Sequence, residues 1–307
     1  MIAGAPLVLL LAMLLDAILG EPRWLWARAP HPAVLMGRAV GRADAWLNRG
    51  ARRKAAGMLA LAGLVTGAGA FGWALQALIP TRAADVVILA VLLAQKSLVE
   101  HVRAVAVALR EGTAPGRRAV AMIVGRDTAA MEPPDIARAA IESAAENLSD
   151  GVIAPAFWYL VGGLPGLMIY KIANTADSMI GHRTPRHAEF GWAAARFDDL
   201  LNLIPARLTA LLILAPRGRL SALCEVSREA RRHRSPNAGW PEAAMARCLD
   251  VALSGPRSYD GARQDFPYIH PDGCRNPGPE AIGRATAVLW SSWAAFLLLV
   301  ALLEACP

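Results

Sequence analysis

The passage that most limits what this chain can fold into is the apolar run from Val152 to Ile169, broken in its middle by Gly162-Gly163-Leu164-Pro165-Gly166. Polar clusters flank it: Glu142, Ser143, Glu146, Asn147 and Asp150 before, and Lys171, Asn174, Thr175, Asp177 and Ser178 after. A continuous helix through the break is disfavoured, because glycine adds backbone freedom and proline removes a hydrogen bond. Two short helices joined as a re-entrant hairpin are the alternative. A bilayer tolerates such a break only where protein or a water-filled cavity satisfies the open backbone. The hairpin returns the second polar cluster to the side of the membrane that carries the first. Uncompensated ionisable groups inside a bilayer cost about 2.5–3.5 kcal/mol each, so a chain that keeps both clusters points to a use for them.

Further apolar segments lie near 2–19, 55–79, 83–100, 152–173, 200–215 and 285–303, several close to the roughly 20 residues that a span requires. With 55% hydrophobic residues and a mean hydropathy of +0.35, the expectation is an all-α polytopic integral membrane protein, one domain over residues 1–307. It would have four to six apolar helices, one of them broken or re-entrant, and helical loops on the cytoplasmic side. Residues 2–19 lack a basic leader and a small-residue cleavage site, so they read as a retained helix and not a signal peptide. Asp16 near its end reads either as a helix-end carboxylate facing water or as a functional group. From Arg23 to Lys54 eight basic residues stand against Glu21 and Asp44, which assigns that loop to the cytoplasm. Within it, His31-Pro32 reads as an extended turn entering an amphipathic helix, with His31 at the surface.

Gly63, Gly67 and Gly69 suit close helix packing in a membrane. After the short return Ala83 to Ala94, Gln95, Lys96 and Glu100 continue a polar helix that either lines a cavity or emerges into the cytoplasm. The net charge of +7 comes from arginines spread over loops and not interleaved with stacking aromatics, so a nucleic-acid partner is not expected. Trp24 and Trp26 fit an interfacial aromatic belt, and membrane lipid is the expected surroundings. Cys224, Cys248, Cys274 and Cys306 are too scattered for a zinc site or a disulfide framework.

Pro133-Pro134-Asp135 opens a helix in the favoured way. On it Glu142 and Glu146 are four residues apart and share a face; such a pair can ligate a hard cation, directly or through substrate phosphates, or form a solvated face. After the break, Lys171, Asn174, Ser178 and Gly181 recur at i, i+3, i+7 and i+10 with Asp177 adjacent, giving one stripe of cation, amide and carboxylate. The first two suit phosphate, and the carboxylate suits metal or proton abstraction. Asp198 and Asn202 sit one turn apart beside Asp199, followed by Pro205-Ala206-Arg207; capping or salt bridging is the competing role. Ser235-Pro236-Asn237-Ala238-Gly239-Trp240-Pro241-Glu242 is turn chemistry before a helix.

Four of these motifs, in order, resemble the cobinamide-phosphate synthase family of cobalamin biosynthesis: Glu142-Ser143-Ala144-Ala145-Glu146-Asn147 with Asp150-Gly151; Asn174-Thr175-Ala176-Asp177-Ser178-Met179-Ile180-Gly181; Asp198-Asp199 with Pro205-Ala206-Arg207-Leu208; and the Ser235 to Glu242 run. Asp16, Gly20-Glu21-Pro22-Arg23 and His31-Pro32 extend the resemblance over nearly the whole chain. Leu148-Ser149 replace a common Thr-Val, and His182 a common tyrosine.

The resemblance implies a multi-pass enzyme of the bacterial inner membrane, its site facing the cytoplasm. The enzyme would join the propionate carboxylate of adenosylcobyric acid to aminopropanol phosphate, or aminopropanol, with ATP as co-substrate and magnesium as cofactor. Other late-pathway membrane enzymes become possible partners. A carboxylate and an amine do not condense unaided at neutral pH, so an acyl phosphate is the natural route. On this reading Glu142, Glu146, Asp150 and Asp177 hold magnesium or deprotonate the amine, with Glu142, Glu146 and Asp177 as the metal set. Lys171, Asn174, Arg183 and Arg207 grip phosphates, Asp198 and Asp199 complete the acidic set, and Ser178, Asn202 and Asn237 contact substrate. A membrane transporter and a membrane alcohol phosphotransferase are the alternatives; the first calls for inverted repeats and the second for an Ala-Arg soon after Asp150-Gly151.

Overall fold

The computed structural model describes residues 4–182, 184–259 and 262–305. In chain order the helices are α1 (Ala5–Leu19), α2 (Arg23–Trp26), α3 (Pro32–Leu47), α4 (Arg53–Leu78), α5 (Arg82–Leu92), α6 (Gln95–Glu111), α7 (Thr113–Val120), α8 (Pro133–Leu148), α9 (Ala154–Ile180), α10 (Trp192–Leu201), α11 (Leu203–Leu214), α12 (Leu223–Ala230), α13 (Gly239–Leu249) and α14 (Pro279–Ala305). Four short strands, β1 (Leu253–Ser254), β2 (Arg257–Tyr259), β3 (Ala262–Gln264) and β4 (Tyr268–Ile269), pair antiparallel as β1 with β4 and β2 with β3.

Among the described residues three helical stretches are long and apolar enough, by length and composition, to cross a membrane: α4, α14 and Pro133–Ile180, the last interrupted at Gly163. Counting the bent pair α10–α11 as one span makes four. The chain is therefore an all-α membrane protein. Its lipid-facing character shows on α4, where Leu59, Phe71, Trp73 and Leu78 are exposed, and on α14 at Leu298 and Leu302. The apolar segment near 83–100 is not one helix. Leu93 takes an extended conformation, and the chain there leaves one of two compact units for the other.

The first unit comprises the described residues of Met1–Ala94, Ala154–Leu203 and Val300–Pro307. Its centre is α9, which breaks at Gly163, where φ 60° and ψ −150° lie outside the helical region. Only glycine adopts that conformation readily. The chain then folds back: a methyl group on Gly166 would lie 2.4 Å from the Trp158 carbonyl oxygen, whereas residues eight apart in a straight helix stand about 12 Å apart. Ala154, Tyr170 and Ala173 accordingly share one buried cluster with Trp158 packed on it. Residues 154–162 rise about 13 Å and residues 164–180 about 26 Å, so only the second arm approaches the roughly 30 Å of a hydrocarbon core. The hairpin anticipated from Gly162 to Gly166 is thus present.

The second arm packs along α4 through glycines. A side chain on Gly72 would meet the backbone of Leu164 and Pro165 at 2.8 Å, and one on Gly57 the Phe190 carbonyl oxygen at 1.9 Å, whereas Gly63 and Gly67 face open space. Val40, Ala60, Ile172, Ala176, Ile180, Phe190 and Ala194 close this core. Helix propensity favours alanine over glycine by about 1 kcal/mol, while overpacking costs about 1–3 kcal/mol. Gly57→Ala and Gly72→Ala should therefore lower the melting temperature in detergent, and Gly63→Ala and Gly67→Ala should hold or raise it. Equal melting of all four would contradict the close approach of α4 to the α9 backbone at Leu164–Pro165 and to the Phe190 carbonyl. Asp16 on α1 is 3% exposed, so the water-facing alternative fails: its side chain lies on the face α1 turns toward its own unit.

The second unit comprises Gln95–Ile153 and the described residues of Ile204–Leu299. Its core helix is α8, opened by the Asp135 carboxylate accepting from the Glu132 N–H at 3.1 Å. Alanine at 137, 139, 140, 144 and 145, all fully buried, combines high helix propensity with room for close neighbours. One π-helical turn, Ser149–Ile153, follows and carries the Asp150-Gly151 pair.

Candidate active site

In the first unit the polar stripe of the second α9 arm meets α10. Asp198 is the centre: its two carboxylate oxygens accept from Asn174 Nδ2 at 3.3 Å and from Asn202 Nδ2 at 3.0 Å. Asn202 is oriented in turn by the Tyr170 hydroxyl, which donates to its Oδ1 at 3.1 Å. Asp198, Asn202 and Tyr170 are buried. The charges of Asp177 and Asp199 both act on Asp198. Gly181 makes room for the first of these, since a methyl group there would lie 1.9 Å from Asp177 Oδ1. Asp199 also stands 3.6 Å from the Arg196 guanidinium.

This arrangement brings together five of the residues singled out in sequence: Asn174, Asp177, Asp198, Asp199 and Asn202. Ser178 turns away and donates to its own helix at the Asn174 carbonyl, 2.9 Å. Arg183 lies outside the described residues. Lys171 belongs to the same unit, and its charge reaches a residue read as merely superficial, His31. His31 is half-buried, caps α3 by accepting from the Ala33 N–H at 3.2 Å and packs edge-on against Trp26 at 4.5 Å. Burial holds its pKa below the ordinary histidine value, which keeps the ring neutral at neutral pH.

The second unit gathers a different set. Glu142 is buried; its Oε2 accepts from Arg126 Nη2 at 2.7 Å and lies 3.3 Å from Arg257 Nη1, and its Oε1 accepts from the Ser254 N–H at 2.7 Å. Ser254 has φ 61°, a left-handed conformation that is uncommon outside glycine. Glu142 therefore ties α8 to the loop of β1 and is occupied as an anchor. Glu146, four residues on, is exposed, so one helical face holds two carboxylates in unlike surroundings. The metal set read from sequence is divided between the units, with Glu142 and Glu146 in one and Asp177 in the other. Among the described residues, no three or more His, Cys, Asp or Glu side chains converge as a metal cage. Asp150 lies in the π-helical turn.

Arg207 donates to the buried Asn237 at 3.0 Å and stacks 4.7 Å from the Trp240 ring centroid. The Ser235 to Glu242 motif thus has a structural logic. Ser235 Oγ accepts from the N–H groups of Asn237 and Ala238, both at 3.2 Å, and Gly239 fits where a methyl group would meet His233 at 2.6 Å. Its last residue, Glu242, enters the sequence reading only as the end of this motif. It is 3% exposed and stands 3.7 Å from His233 Nε2, and its Oε2 has no hydrogen-bond partner among the described residues.

Burial, then the charges of Glu142 and Glu146, push the Glu242 carboxyl well above the ordinary range, while burial pushes His233 down to about 4. The folded chain then binds more protons at Glu242 than the unfolded chain once pH exceeds 4.5, so stability falls as pH rises from there toward the raised value. Glu242→Gln, uncharged throughout, should unfold like wild type near pH ~4 and be the more stable above it, by up to about 1.4 kcal/mol per pH unit. A stability difference that is flat with pH would show that Glu242 ionises freely.

Residues 9–289 match the family model described as CobD/Cbib protein. Over 303 residues, 93% of each chain, the sequence is 50% identical to "Cobalamin biosynthesis protein CobD" of Rhizobium meliloti (strain 1021). It is 48% identical over 317 residues to a protein of that name from a Sinorhizobium sp, covering 97% of this chain and 98% of the relative. The counterpart in Rhodobacter capsulatus is 45% identical over 305 residues, 96% of each. No solved structure matches.

Proposed function

The chain belongs to the CobD/Cbib protein family, and from that premise we propose that it is an ATP-dependent amide-forming ligase of cobalamin biosynthesis, an adenosylcobinamide-phosphate synthase. Its substrates are adenosylcobyric acid, through the propionate carboxylate, and aminopropanol phosphate or aminopropanol. The names of the relatives favour neither a transporter nor an alcohol phosphotransferase. The enzyme sits in the bacterial inner membrane with its site on the cytoplasmic side, in keeping with the basic Arg23 to Lys54 loop.

The observation that carries the reading is the buried Tyr170–Asn202–Asp198–Asn174 network with Asp177 and Asp199 beside it. A cluster of acids on two packed helices, held in place by amides, suits a reaction that handles phosphates and a protonated amine. The corrinoid carboxylate takes the terminal phosphoryl group of ATP, releasing ADP; the amine then attacks the acyl carbon and releases phosphate. Before that attack the ammonium must lose a proton, and an Asp177 or Asp198 carboxylate is the acceptor. Asn174 and Asn202 fix the Asp198 oxygens so that no reorganisation is needed at the moment of transfer. Asp177 and Asp198 form a donor set that fits magnesium, which takes one or two carboxylates and completes its shell with phosphate oxygens and water. When bound, the ion neutralises charge on the transferring phosphoryl group. Lys171 lies one helical turn from Asn174 and supplies a cation for the same phosphates.

The decisive experiment incubates the purified protein with adenosylcobyric acid, ATP, magnesium and either aminopropanol or its phosphate, followed by mass analysis of the corrinoid. A mass gain of the amino alcohol less water is expected; an unchanged corrinoid with both amines overturns the reading.

A further inference from the structure

The first unit contains an open cleft of about 430 Å³, within the roughly 300–1,000 Å³ of small-molecule sites. Gly50, Ala51 and Arg53 line one side, where α3 passes into α4; Pro185, Arg186 and Glu189 line the other, in the segment that joins α9 to α10. We propose that this cleft captures an amino-alcohol phosphate, a zwitterion whose ammonium and phosphate are joined by a two-carbon link. Arg53 and Arg186 take the phosphate and Glu189 takes the ammonium. The proposal rests on the ligase reading above and gives it a capture site for the second substrate, outside the sequence motifs.

The placement of charge is the first support. Arg53 makes no ion pair among the described residues; its Nε donates to the Gly50 carbonyl at 3.3 Å, so both Nη groups remain for an anion. Glu189, on the facing wall, is exposed and likewise makes no ion pair among the described residues. One cation and one anion thus line the same cleft without meeting each other. A ligand that carries both charges completes them, its phosphate oxygens suiting the guanidinium fork. Lys54, the next cation along α4, is turned onto the Trp192 ring at 3.9 Å from the centroid.

Preorganisation is the second. Arg186 donates from Nε and Nη2 to Asp44 Oδ2, at 3.2 and 2.7 Å. Asp44 balances its charge, so Arg186 serves by direction: held at two nitrogens, it presents Nη1 as a fixed donor. Asn48 Nδ2 donates both to Asp44 Oδ1 at 2.8 Å and to the Arg186 carbonyl at 3.1 Å, tying the end of α3 to the facing wall. The first turns of α4 meet that wall again at Gly57, where a methyl group would lie 1.9 Å from the Phe190 carbonyl oxygen. The walls therefore stand before a ligand enters, and little freedom is lost on binding.

The wall that carries Arg186 and Glu189 runs from the end of α9 to the start of α10, the helices of Asp177 and Asp198. A carboxylate beside an ammonium favours its charged form. The cleft thus holds the amine protonated and unreactive, and the proton is lost at the Asp177–Asp198 cluster. A phosphatidylethanolamine headgroup has the same ammonium, two-carbon link and phosphate, and α4 is one of the helices long and apolar enough to cross the membrane, so lipid is the other source of this chemistry.

The test measures binding of aminopropanol phosphate and of isopropyl phosphate, which lacks the amine, by calorimetry on the full-length protein in detergent without corrinoid or ATP. Arg53→Gln should weaken both ligands by about fivefold or more. Glu189→Gln should weaken aminopropanol phosphate by a similar factor and change isopropyl phosphate by less than about twofold. Glu189 is exposed, so its variant gives a reading even if Arg53→Gln fails to fold. Any other pattern overturns the proposal, including no binding of aminopropanol phosphate by the wild type. Repeating the measurement in nanodiscs of phosphatidylcholine, with and without phosphatidylethanolamine, separates the two sources. Aminopropanol phosphate binding weakened about fivefold or more by phosphatidylethanolamine assigns the cleft to the lipid headgroup; equal binding assigns it to the free amino-alcohol phosphate. A wild type that shows the expected binding pattern but leaves the corrinoid mass unchanged removes the ligase reading and keeps the cleft.

Discussion

Asp198→Asn is expected to cut turnover in the proposed ligase reaction by about 10²- to 10³-fold, the scale seen when one preorganised polar group is removed from a catalytic site. Both Asp198 oxygens accept from amide NH2 groups, Asn174 Nδ2 at 3.3 Å and Asn202 Nδ2 at 3.0 Å. An asparagine offers one acceptor and one donor in place of two acceptors, so one of these bonds must turn into two donors facing each other. With the site buried, that mismatch costs about 1–3 kcal/mol of stability, and the charge that would accept a proton or hold a cation disappears with it. Tyr170→Phe is the graded control. It removes only the hydroxyl that orients Asn202, and should lower turnover by about tenfold while costing about 1 kcal/mol. Turnover by corrinoid mass and melting in detergent measure both effects. If Asp198→Asn keeps turnover within about threefold of wild type, the acidic cluster of the first unit is not the reacting centre.

Glu142→Ala should be the most destabilising of the single substitutions considered, by about 3–5 kcal/mol, the range found when one partner of a buried ion pair is deleted. Its carboxylate meets Arg126 at 2.7 Å and Arg257 at 3.3 Å, with side-chain exposures of 6, 9 and 11% respectively. Without it two guanidinium groups face each other out of reach of bulk water. The Ser254 N–H also loses its acceptor, in a residue already held at φ 61°. Adding Arg126→Met to Glu142→Ala should recover part of the loss by removing one of the stranded charges. Chemical or thermal unfolding in detergent reads both variants. A loss below about 1 kcal/mol would mean that water screens this pair.

How legible the site was in the sequence varies residue by residue. Helical periodicity aligned Asn174 with Asp177, and Asp198 with Asn202, because neighbours at three and four positions share a helix face. The same rule paired Glu142 with Glu146, and the structure sets the two in unlike surroundings. A face can run from a packed interior to open solvent within one turn, and here the first carboxylate is enclosed by arginines while the second is exposed. Glu242 stood only as the end of a motif and His31 as a surface residue, since nothing in a motif's last acid or a histidine before proline foretells burial. Arg257 had no local signal either, because its partner Glu142 lies more than a hundred positions away along the chain.

By itself the sequence determined the membrane class, the helical composition and the break of α9, because apolar length and the backbone limits of glycine and proline act locally and need no partner. It also carried the family, through motifs whose order survives without coordinates. Only the tertiary structure decided that α9 folds back at Gly163, that Asp198 and not the Glu142–Glu146 pair is wrapped by amides, and that Glu142 belongs to arginines. Burial and pairing of charge depend on which distant segments pack together, and the free energy of a carboxylate is set by those neighbours far more than by its own place in the chain.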